Sequence, residues 1–181
     1  MSLPDLSDAE ISAFVRQLIA YIQAQHDHYL PMSLPLSAGQ KAVLQPFFPP
    51  TVIQQAVVFA RGRESVSNPP LIAELRSRGF EHAPDLNHLN VVTFKRVHVL
   101  QRVTNRVLFH GLVHVTQYHV VGFERCINLS VRAFVKTGRH ITIPLHVHAY
   151  ELDNRFEQSP SSGFSVEDEV RSWFATGRYF I

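Results

Sequence analysis

The chain has 181 residues, 45% of them apolar and 18% charged, with a formal net charge of +2. That length and composition describe one globular domain, 1–181, with a sizeable core, and exclude wholesale disorder. The basic residues are scattered, which argues against nucleic-acid binding; no apolar run reaches the roughly 18 residues of a membrane helix; and a lone cysteine, Cys126, excludes an internal disulfide framework.

The N-terminus lacks a basic stretch leading into an apolar one, so no signal peptide is expected and a cytoplasmic protein is. Ser7-Asp-Ala-Glu10 is a capping box, and Ile11, Phe14, Val15, Leu18, Ile19 and Ile22 follow at helical spacing. These predict an amphipathic helix over about residues 8–26 within an N-terminal helical segment, 1–30. Its end, Gln25-His-Asp-His28, reads as a polar helix terminus near the negative end of the dipole rather than a metal site.

Pro31 and Pro35 mark a turn, and a short second helix is expected before Phe48-Pro-Pro50. The β-branched stretch 51–61 is expected to contain a strand, and Pro69-Pro70 opens a helix that Gly79 stops. Residues 82–87 read as a loop and Val91–Leu100 as one alternating strand. Thr104 or Asn105 caps a helix that runs to Val121 and stops at Gly122. A further helix spans about 124–136, and Pro144 starts another. Ser165 caps the last. The order predicts an α+β fold: helices, a small sheet in the middle, then helices.

Histidine is the residue type that stands out, with six of the eleven at positions 110, 114, 119, 140, 146 and 148. His110 and His114 are four residues apart on a helix, so both imidazoles leave one face and can serve one metal ion. Gln117 and Val121 continue that stripe, which turns the face inward. His146 lies thirty-two residues after His114 on the next-but-one predicted helix.

Two blocks carry a resemblance. Leu108-Phe-His-Gly-Leu-Val-His-Val-Thr-Gln-Tyr118 resembles the HExxH helix of small zincin-like bacterial domains, and Ile143-Pro-Leu-His-Val-His-Ala-Tyr-Glu-Leu-Asp-Asn-Arg-Phe156 resembles their third-ligand helix. The resemblance implies a compact zincin-like domain of minimal gluzincin type, with strand, metal helix and third-ligand helix within 91–156. It aligns the family's catalytic glutamate with Gly111 and its glutamate ligand with His146. The expected metal ligands are therefore His110, His114 and His146. Zinc is the first choice of divalent ion, with copper or iron as alternatives.

Glycine can neither accept nor deliver a proton, so ordinary peptidase activity is not expected. Gly111 reads as space cleared for a substrate group. Tyr150 and Glu151 are the candidate replacement acid or base groups, with His119 a further titratable group, and Asp153 is a candidate orienter of a ligand histidine. His148 competes with His146, but two residues apart on a helix their rings diverge by about 200°, so only one can bind a given ion. Three neutral nitrogens leave a divalent ion its full charge, which favours a small, anionic substrate, and metal affinity is expected to fall below about pH 6 as histidines protonate. The alternative expectation is an inactive pseudo-metallopeptidase that serves as a binding or scaffolding module.

Overall fold

The structure is a computed structural model that describes residues 3–180; Met1, Ser2 and Ile181 lie outside the described residues. The local signals form where they were expected. The Ser7 hydroxyl and the Glu10 carboxylate close the capping box of α1 (Asp8–Tyr29), which runs three residues past the predicted end. Ser37 caps α2 (Ala38–Leu44) in the same way.

The stretch 51–61 divides into two elements. Pro50 starts a short helix, α3 (Pro50–Gln55), and only the last part is extended, as β2 (Val57–Ala60). The residues expected as one strand over 91–100 form a hairpin, β3 (Val91–Phe94) and β4 (Val97–Leu100). The turn uses Lys95 at φ 54, a left-handed conformation in a residue type that gives no turn signal. With β1 (Leu34–Pro35), these strands make a four-stranded mixed sheet of order β1-β2-β4-β3. β2 and β4 are parallel, with Val57 opposite Val97, and the two outer pairings are antiparallel. α4 (Pro70–Ser77) lies in the connection from β2 back to the hairpin.

Five helices complete an α+β fold: α4, then α5 (Asn105–Val121), α6 (Phe123–Thr137), α7 (Pro144–Gln158) and α8 (Val166–Ala175). Thr104 accepts the Val107 backbone N–H to cap α5, and Pro144 begins α7. Gly122, at φ 97, ends α5 and starts α6 in one residue, a corner that a side chain would strain. α5 is the hub: it packs on α6, α7, α8 and the hairpin. Its central residues Leu108–Gln117 are all buried, so a polar group on this helix must find a partner inside the protein. No described helix is long and apolar enough to cross a membrane.

Candidate metal centre

α5 and α7 together bring three imidazoles to one point. Ligand-capable nitrogens of His110, His114 and His146 all lie within 4.8 Å of one another, the one such cluster of metal-ligating groups among the described residues. The His114 ring is 5.0 Å from that of His110 and 4.8 Å from that of His146. The polar end of α1, with His26 and His28, makes no comparable group.

Each α5 histidine is oriented through its far nitrogen. The Nδ1–H of His110 donates to Asp153 Oδ2 at 2.7 Å, and the Arg106 guanidinium donates to the other oxygen at 3.0 and 3.2 Å. Asp153 is seven residues after His146, two helical turns along the same face of α7, which lets it reach back to α5. Nδ1 of His114 donates to Gln117 Oε1 at 2.8 Å. The Gln117 amide nitrogen donates in turn to Leu145 O at 3.0 Å, which fixes the amide's orientation. Both contacts place the proton on Nδ1 and leave Nε2 with its lone pair. Nε2 of His114 is buried and has no hydrogen-bond partner in the protein. An orphaned buried acceptor beside two further imidazoles is what a bound cation would complete, so the residues fit a three-nitrogen metal centre.

Burial, with His110 as a smaller contribution, holds the His114 imidazole down to about 3. Burial, followed by His140, His114 and His110, holds His146 well below the ordinary histidine range. Both rings are therefore neutral, the form that binds metal.

His148 is elsewhere. Its ring stacks on Trp173 at 4.0 Å with an interplanar angle of 7°, and its Nδ1 lies 2.6 Å from the Tyr179 hydroxyl. It packs with the C-terminal aromatic residues, on a different face of α7 from the cluster. Cys126 is a buried thiol against Gln117 O, pushed up to about 12 by burial, and so behaves as a small core residue.

The position of Gly111 differs from the cleared space that was expected. A Cβ there would lie 2.6 Å from His98 Nδ1 and 3.1 Å from Thr93 Oγ1. The volume is filled by the fully buried His98 ring of β4, not open to a substrate. Glycine is required at 111 because the hairpin lies directly against α5. Glu151 is exposed and takes no part in the cavity wall, and His119 is exposed as well. Tyr150 does belong: its ring is 4.6 Å from that of His110, and burial followed by Asp153 pushes its hydroxyl up, so it stays protonated.

Three participants were not singled out as site residues from the sequence. Arg106 anchors Asp153. His140 lies 4.0 Å from the His146 ring, and burial followed by His110 holds it down to about 4. His98 dictates Gly111. Arg106 and His98 carry no spacing signal because each acts across the fold, and His140, in the turn just before α7, belongs to no motif.

The cluster forms part of the wall of a cavity of about 530 Å³ bounded by α1, α4, β3, α5, α6 and α7. Compared with protein-family models, curated proteins and solved structures, the chain matches none.

Proposed function

We propose that this protein is a metal-dependent enzyme with a His110/His114/His146 centre, acting on a small molecule and without conventional peptidase activity. The observation that carries the reading is the buried, partnerless His114 Nε2 in a cluster of three imidazoles on a cavity wall. A structural metal is usually closed in by four protein ligands, whereas three ligands beside a cavity leave a position for substrate. Zinc is the ion that best suits three neutral imidazoles, and copper or iron also accept them.

A bound divalent ion would act as a Lewis acid toward an oxygen of the substrate. Asp153 and Gln117 orient the ligands, with Arg106 holding Asp153. Tyr150 stays protonated, so its hydroxyl is available to donate a hydrogen bond to a substrate. Asp153 is the one carboxylate in the cavity wall among the described residues, and it is already engaged by His110 and Arg106. A glutamate-type general base is therefore missing from position 111 and from the rest of the wall, which supports the non-peptidase reading.

Cobalt-loaded protein, its metal content first measured, tests this. The visible spectrum should change on addition of azide, because an open position accepts a small anion. An unchanged spectrum in fully loaded protein at high azide contradicts an open centre.

A further inference from the structure

The cavity beside the histidine cluster has a chemical character of its own. Opposite α5 and α7, its wall is built by Ile22 of α1, Leu71 and Leu75 of α4, Phe94 of β3 and Phe134 of α6. α4 packs on α1, and α7 on α5, so these apolar groups and the imidazoles come from different sides of the fold. A cavity of this size left between packed layers is a candidate ligand site, because closing it would recover apolar contact.

The charges on the wall are few and paired. Arg106 is its one permanent cation, and it is committed to Asp153, Asn154 and Glu157. The wall therefore offers no second site for an anionic group such as a phosphate or a second carboxylate. Polar recognition of a head group is concentrated at His110, His114, His146 and Tyr150; the rest of the wall is mostly hydrocarbon, interrupted by scattered neutral polar groups such as Asn90, Thr93 and Ser130. At roughly 30 Å³ per heavy atom, the liquid-volume share of one water, 530 Å³ accommodates on the order of fifteen to twenty heavy atoms.

We infer that the cavity binds a medium-chain monocarboxylate, an amphiphile whose single anionic head lies at the three-histidine centre and whose alkyl chain fills the space toward α1 and α4. This rests on the metal-centre reading for its head and on the cavity for its tail. The chain gains by burial, about 0.8 kcal/mol or close to fourfold in affinity for each methylene. The head supplies the anion that a divalent ion held by neutral ligands attracts.

The test titrates zinc-loaded protein by calorimetry, after its zinc content has been measured. Acetate, octanoate, dodecanoate and the neutral dodecanol are the probes. Affinity should rise on the order of 100-fold from octanoate to dodecanoate, and dodecanol should bind at least tenfold more weakly than dodecanoate. Ser130→Phe, a substitution at a half-buried position of the α6 wall, should reduce dodecanoate affinity at least tenfold and leave acetate unchanged. Zinc-loaded protein that binds acetate and dodecanoate equally, or dodecanol as well as dodecanoate, overturns the inference while the metal centre stands. A chain that takes up no zinc overturns both. If Ser130→Phe does not fold, the chain-length series on the unmodified protein still decides the matter.

Discussion

Replacing Gly111 with alanine should destabilise the protein, although the same change in an exposed helix would stabilise it. Alanine in a helix interior is favoured over glycine by about 1 kcal/mol. Against that stands a Cβ 2.6 Å from His98 Nδ1 and 3.1 Å from Thr93 Oγ1. The His98 ring is completely buried in β4, so it cannot swing into solvent to make room. Overpacking of this kind costs about 1–3 kcal/mol. Taking about 2 kcal/mol, the net loss is roughly 1 kcal/mol, or about 2–4 °C in melting temperature for a domain of this size. In a His98→Ala background the clash is largely gone, and Gly111→Ala should then stabilise by about 1 kcal/mol. The two sites should thus couple by about 2 kcal/mol in a double-mutant cycle read by urea unfolding. If Gly111→Ala stabilises both backgrounds to the same extent, the His98 ring does not account for the glycine. By the same packing argument, Gly111→Glu should impair folding rather than restore a peptidase.

Three further outcomes follow from the same geometry. Burial holds His98 down to about 3, whereas in the unfolded chain it titrates near 6.5. The unfolded state therefore binds the extra proton, so His98's contribution is fully present above about pH 6.5 and is lost as pH falls toward 3. By pH 4.5 the loss should be on the order of 3 kcal/mol from this residue alone, and a urea midpoint equal at pH 7 and 4.5 would contradict it. Asp153→Asn should weaken zinc binding about 10–100-fold through the loss of His110 orientation; zinc affinity unchanged in a correctly folded variant would remove Asp153 from the centre. Peptide hydrolysis by the unmodified chain should stay at background, and chelator-sensitive cleavage would overturn the non-peptidase reading.

Much of the framework is local and so is visible in sequence. Ser7, Thr104 and Pro144 act within one turn of where they stand, and Gly122 stops α5 through its own backbone. The i,i+4 histidine pair and the two-turn step from His146 to Asp153 are likewise properties of single helices. The hairpin was hidden because its turn is Lys95-Arg96, without glycine or asparagine, so alternation reads through it as one strand. Gly111 was open to misreading for a related reason. Its meaning lies in a ring thirteen residues away on a strand that crosses α5, and helical spacing carries no trace of that contact. Arg106 is similar: it gains its role from the packing of α5 against α7, not from any motif. Glu151, by contrast, is adjacent to Tyr150 in sequence but one step around the helix, which is enough to take it from the cavity to solvent.

The most direct test of the account is metal stoichiometry across the histidine variants. Protein loaded with zinc at pH 7.5, freed of unbound ion and analysed by plasma mass spectrometry should carry one equivalent. His110→Ala, His114→Ala and His146→Ala should each lose it. His148→Ala should retain it while melting at lower temperature, because its stack on Trp173 and its bond to Tyr179 belong to the core. Wild-type protein without metal, or a folded His146→Ala variant that still holds a full equivalent, would contradict the three-histidine centre.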